Sequence, residues 1–148
     1  MGFRSARRSM VSHRLLVLGS KALPEAAEDG LLTAEDVGGL DLMHTRLVVL
    51  SACDTGLGAI TSGQGVFGLR RAFVEAGART LVMSLWKVPD SQTQELMEDL
   101  YRHLLQGASP CDALRQAQLM IKARFPSPYY WGAFICQGDP APVELPKN

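Results

Sequence analysis

The sequence predicts an α/β domain, a mainly parallel sheet flanked by helices, and three observations carry that prediction. Leu47-Val48-Val49-Leu50 is an unbroken apolar run with the branched composition of a strand buried on both faces. A second run of the same kind, Thr80-Leu81-Val82-Met83-Ser84, follows it after one helical repeat. Buried strands then continue to alternate with capped helical patterns, the ordering of a layered α/β fold with crossover connections. The 148 residues, 47% hydrophobic and 20% charged, suffice for one domain with its own core.

Each element has a local reason. Residues 1–12 show no hydrophobic period, and Leu15 to Leu18 reads as a short strand or an extended loop. Lys21 to Asp29 is a surface connection rich in Ala and Glu, so residues 1–29 together are expected to be irregular or disordered. Thr33-Ala34-Glu35-Asp36 has the form of a capping box and starts a short helical turn that Gly38-Gly39 stops. Val66, Leu69, Phe73 and Ala76 recur at helical spacing, and Gly77 supplies the stop. Asp90 is expected to cap a long helix with Thr93, Leu96, Met97, Leu100, Tyr101 and Leu104 on its apolar face, ended by Gly107. Ser109-Pro110-Cys111-Asp112 opens the next helix, with Ser as cap and Pro in the first turn, and its inner face includes Leu114, Ala117 and Ile121. Pro126 and Pro128 break that helix, Trp131 to Cys136 reads as the last strand, and Gly138-Asp139-Pro140 closes it. Residues 141–148 are a tail.

Composition excludes several functions. Fifteen basic residues balance fifteen acidic ones, so no global field points to nucleic acid or to an anionic membrane. The local exception is Arg4, Arg7, Arg8 and Arg14, a basic arm or simply a disordered start. No apolar run has the length of a membrane span, and no apolar segment follows the arginines as in a secretory signal. Cys53, Cys111 and Cys136 are odd in number and widely spaced, neither a zinc site nor a disulfide framework. That usage fits a reducing compartment, here the cytoplasm. Gly63-Gln64-Gly65-Val66-Phe67-Gly68 is a literal dinucleotide-loop pattern. Eleven residues separate it from the preceding strand, and the acidic residue expected after the next strand is missing. Its glycines read instead as permitting close packing of helix and loop, and no cofactor is expected.

The stretch around which the chain is organised is Leu47 to Gly58. An apolar strand running into Ser51-Ala52-Cys53-Asp54-Thr55-Gly56 places a thiol at the strand's carboxyl end, the edge where open parallel sheets hold their ligands. On spacing alone Cys53 is a buried inert cysteine, the commoner fate, or a nucleophile.

Several motifs in order carry a resemblance: Ser51-Ala-Cys-Asp-Thr-Gly56, Gly63-Gln-Gly-Val-Phe-Gly-Leu-Arg-Arg-Ala-Phe73, Ala76-Gly-Ala-Arg79, Ser84-Leu-Trp-Lys-Val88 with Asp90, and Tyr129-Tyr-Trp-Gly-Ala-Phe134 with Gly138-Asp139. From Gly30 to Pro140 the sequence resembles a CHAT domain, the caspase-like cysteine peptidase module often found with tetratricopeptide repeats. The resemblance implies a caspase-like sheet, a peptide or protein substrate, and Cys53 as nucleophile. It implies that Ser84-Leu85-Trp86 pairs with substrate backbone, Trp86 forming an apolar wall. Asp54 and Asp90 would flank that edge and favour Arg or Lys before the cut bond. Each has a plainer role as well, Asp54 in closing its own turn and Asp90 as a helix cap.

A cysteine peptidase also needs a base, which in this family is a His followed by Gly. His13 precedes Arg14, His44 precedes Thr45 and His103 precedes Leu104, so none carries the motif. His103, on the polar side of its helix and one turn after Asp99, reads as a solvated helix residue or as a partner of Asp99. The resulting expectation is an N-terminally truncated domain that lacks the His-Gly segment and is inactive as given. The alternative is a CHAT fold that binds peptides or partner repeats without cutting.

Overall fold

The structure, a computed structural model, describes residues 15–18, 34–50 and 64–143. Along the chain these form β1 (Leu15–Leu18), α1 (Ala34–Gly38), β2 (Leu47–Leu50), α2 (Gln64–Glu75), β3 (Thr80–Ser84), α3 (Asp90–Leu105), α4 (Pro110–Arg124), α5 (Pro128–Trp131) and β4 (Phe134–Gly138). The expected cap at Thr33 lies outside the described residues.

The strands form one sheet in the order β1-β2-β3-β4. β1, β2 and β3 run parallel, with Leu15 beside Leu47 and Leu47 beside Thr80, and β4 runs antiparallel to β3, with Ser84 beside Phe134. At Leu15 to Leu18 the chain takes the strand alternative, so a strand lies inside the segment expected to be irregular. The last strand starts at Phe134, not Trp131, because Pro128 opens a short helix that takes in Trp131.

Alternation along the strands splits the core in two. Leu47, Val49 and Val82 face one side, where Leu96, Leu100 and Leu104 of α3, Leu114, Ala117 and Ile121 of α4, and Phe134 close over them. Val48, Leu50, Leu81 and Met83 face the other, against Val37 of α1 and Leu69 and Phe73 of α2. All of β2 and β3 is buried, which is why both read as continuous apolar runs. Val143, beyond the expected domain limit at 140, is buried with the first of these cores.

The connections follow from chirality. α1 and α2 lie on one face of the sheet, as crossovers of one hand stepping the same way along parallel strands require. α3 and α4 form an antiparallel pair on the other face, Glu95 near the start of α3 meeting Arg124 at the end of α4. A helix running away from the carboxyl ends of the strands and another running back return the chain to its starting edge. The strand that follows must run opposite to β3.

Helix ends behave as their residues dictate. Ser109 Oγ accepts from the Asp112 backbone N–H, and Pro110 occupies the first turn of α4. Pro89, not Asp90, holds the cap position of α3, and Asp90 is its first helical residue. α2 and α3 close through the same motif. Ala78 N–H donates to Phe73 O and Gly77 N–H to Val74 O, while Ala108 N–H donates to His103 O and Gly107 N–H to Leu104 O. Both closing glycines have positive φ, 105° at Gly77 and 91° at Gly107. The loop against which Gly63, Gly65 and Gly68 are expected to pack lies outside the described residues.

The two closing glycines provide a controlled comparison. A Cβ at Gly107 meets no described atom within 4 Å, whereas at Gly77 it would lie 2.8 Å from Met43 N and 2.9 Å from Met43 Cα. Gly107→Ala is expected to cost about 1 kcal/mol of backbone strain, and Gly77→Ala to exceed it by at least about 1 kcal/mol. Urea melts of the two variants measure the difference.

Tyr101 gives the fold an alkaline limit. Burial pushes its phenol up to about 12, and its hydroxyl has no hydrogen-bond partner among the described residues. Between the unfolded value near 10 and the folded value, the unfolded chain releases a proton that the folded chain keeps. Stability present below pH ~10 is therefore lost as pH rises through this window. Denaturant melts at pH 9 and 11 should show the loss, and Tyr101→Phe should reduce it.

Candidate functional site

The carboxyl ends of β1, β2 and β3, marked by Leu18, Leu50 and Ser84, lie at one edge of the sheet. Because β4 is antiparallel, the same edge receives its amino end and the segment before it. Cys53 and Asp54 follow Leu50 in sequence by three and four residues and lie outside the described residues. The structure therefore describes the wall of this edge contributed by β3, α3, α4, α5 and β4.

That wall is firmly held. Ser84 ends β3 and is 7% exposed. Leu85 N–H donates to Ala133 O at 2.8 Å, extending the β3–β4 ladder one step past Ser84. One side of the Ser84-Leu85-Trp86 segment is thus occupied by the chain's own last strand. Trp86 is 37% exposed, and its indole Nε1–H donates to Tyr129 O at 3.0 Å, tying the β3 loop to α5. Lys87 is exposed and Val88 is buried in the core, which anchors the far end of the loop. Asp90 is exposed at the start of α3, where its charge suits the positive end of the helix dipole.

α5 is fixed from beneath. Gln118 on α4 donates from Nε2 to Trp131 O at 3.0 Å and to Phe134 O at 2.9 Å, bracing the turn between α5 and β4. Trp131 Nε1–H donates to Pro126 O, and Lys122 Nζ stands 4.9 Å from the Trp131 ring centroid. Tyr130 packs on Phe125 at 5.3 Å and edge-on to Tyr129 at 5.2 Å between ring centroids. Gln118 and the two tyrosines were not singled out as site residues from sequence. Gln118 looks there like any polar position on an amphipathic helix, and only the fold reveals the two carbonyls above it.

The histidines lie elsewhere. His44 is exposed three residues before Leu47, at the amino end of β2. His103 lies near the end of α3, the helix that runs away from the carboxyl edge, and its Nε2 is 3.4 Å from Asp99 Oδ2. Of the two readings of His103 the pair with Asp99 forms, the His103 side chain only partly exposed, and Arg102 reaches the other oxygen of this buried carboxylate. His13 lies outside the described residues, two positions before β1. Among the described residues no group of three or more His, Cys, Asp or Glu is placed to hold a metal ion. None of the helices there is long and apolar enough to cross a membrane.

An α/β layered domain in which β2 is followed in sequence by Ser-Ala-Cys and β3 ends beside an aromatic wall is the class these features define. A family model described as CHAT domain matches residues 8–139, and the chain belongs to that family. The match begins earlier than Gly30, where the sequence resemblance starts, and takes in β1. Tetratricopeptide repeat protein 28 of Homo sapiens is 30% identical over 162 residues, covering 99% of this chain and 6% of that protein. Tetratricopeptide repeat protein 28 of Mus musculus is 32% identical over 121 residues, covering 80% of this chain and 5% of that protein. The chain spans about one-twentieth of the curated relatives it matches.

Gln118 is the residue whose removal should loosen this wall. Gln118→Leu keeps the volume and leaves two carbonyls without their donor, an expected cost of about 1–3 kcal/mol. Chemical denaturation followed by tryptophan fluorescence measures it. Gln118→Glu, which sets a carboxylate against the same two carbonyls, is expected to lose at least as much.

Proposed function

We propose that the carboxyl edge of the sheet is the peptide-engaging face of a caspase-like cysteine-endopeptidase domain, and that the chain as given binds peptide there without cutting it. Membership of the CHAT family supports Cys53 as the residue in the nucleophile position. Trp86, held by Tyr129 yet partly exposed, supports an apolar wall beside Ser84. Asp54 and Asp90 are the acids proposed to select Arg or Lys in the bound segment. The partners in this reading are a peptide or protein, with no nucleic acid, membrane, metal or cofactor. The relatives' names make a tetratricopeptide-repeat segment the second partner to test. A reducing, cytoplasmic setting goes with it, since the thiol must stay reduced.

One observation carries the non-cleaving half of the reading: sheet polarity puts the described histidines away from the edge that Cys53 follows. A thiol with an ordinary pKa near 8.5 is only a few per cent thiolate at neutral pH without a base. General-base assistance is typically worth about 10²–10⁴-fold.

The test uses fluorescent Arg- and Lys-containing peptides with the intact chain. Saturable binding is expected, weakened about tenfold or more by Trp86→Ala, with no cleavage above the level of Cys53→Ala. Turnover abolished by both Cys53→Ala and His13→Ala would replace this reading with an active peptidase whose base is His13. Absence of binding to any basic peptide would remove the proposed edge.

A further inference from the structure

Two cysteines outside the proposed site meet in space. Cys111 is the second residue of α4 and Cys136 is the central residue of β4, opposite Val82. Their Sγ atoms are 3.0 Å apart, both are free thiols, and both are half-buried. A disulfide needs about 2.0 Å between sulfurs, so roughly 1 Å of closure would make the bond. Both residues sit on regular elements that pack on each other, which keeps the two sulfurs opposed. We propose that Cys111 and Cys136 are an oxidation site, forming a reversible disulfide that staples α4 to β4.

The oxidant class is a low-molecular-weight disulfide. Cys111, as thiolate, attacks one of its sulfurs, forming a mixed disulfide and expelling one small thiolate. Cys136 gives up its proton and attacks Cys111 Sγ, expelling the second. The two protein thiols lose two electrons and two protons, and the small disulfide is reduced to two thiols. The order follows from surroundings, since burial and then the neighbouring Cys111 sulfur hold the Cys136 thiol well above its usual range. Cys136 is a poor first nucleophile but is already in place to resolve the mixed disulfide.

The bond closes a loop from residue 111 to residue 136 that contains Gln118, α5 and the start of β4. Oxidation therefore ties off the segment that forms the aromatic wall, and reduction releases it.

The experiment treats the intact wild-type chain with oxidised glutathione, caps remaining thiols, digests with trypsin and maps the products. Peptide 103–115 joined to peptide 125–147 is expected, two hydrogens lighter than their sum and separated by dithiothreitol. The oxidised chain should melt roughly 5–10 °C higher than the reduced one. Cys136→Ser should trap glutathione on Cys111, and Cys111→Ser should take up markedly less on Cys136. Both thiols still capped after Cys53 has been fully oxidised, or cross-links running through Cys53 instead, would overturn the proposal. So would an unchanged melting temperature.

Discussion

Burial of β2 and β3 on both faces is the constraint on which the rest of this domain depends. All nine of their residues, Leu47–Leu50 and Thr80–Ser84, are buried, so each strand must be covered twice. One helical layer cannot do this. The chain therefore sends α1 and α2 to one side and α3 and α4 to the other, and period-two alternation divides the side chains between the two cores. A polar residue at Val49 or Val82 would open one layer and leave the other intact, while loss of the strand pairing would dissolve both.

The second consequence concerns the edge where the strands end. A single crossover helix after β3 would have returned the chain to the amino edge and allowed another parallel strand. Two helices return it to the carboxyl edge, and that return places α5 there. The tyrosines, Trp131 and the Gln118 brace are thus products of topology before they are products of local sequence. The bond from Trp86 Nε1–H depends on this topology, since Tyr129 O comes from a segment 43 residues further on.

Strongly periodic and capped elements were legible in the sequence. The two central strands, the Ser109-Pro110 helix start and the Gly77 and Gly107 stops are dictated by residues within a few positions of one another. The misreadings have separate causes, two of them involving a distant partner. Trp131 to Ala133 is apolar enough for a strand, but Pro128 and the Gln118 contacts hold it in a helix and turn. Leu15 to Leu18 is too short to declare itself without β2 alongside. Asp90 has the chemistry of a cap, yet the helix begins one residue earlier than a cap at Asp90 requires. Ser84, Trp86 and Asp90, singled out by their motif, fall at or just after the end of β3, whereas the Cys111–Cys136 approach joins two elements whose pairing no local pattern encodes.

The polarity of the sheet decides which described segments reach its carboxyl edge. In a parallel array, residues that follow a strand reach the carboxyl edge and residues that precede it are left at the other. An antiparallel strand reverses this, and only the segment before it gains access. Among the described residues, 85–89 after β3 and 125–133 before β4 satisfy these conditions, and neither segment contains a histidine. His44 precedes a parallel strand, and His103 follows most of a helix leading away from the edge. What these two segments do carry is Trp86, Tyr129 and Tyr130, tied together by the bond from Trp86 Nε1–H to Tyr129 O and the edge-on contact of the two tyrosine rings. A histidine placed at either accessible segment would be positioned by the fold to face the strand end, whereas exchanging residues around His44 or His103 would leave a base on the wrong side of the sheet.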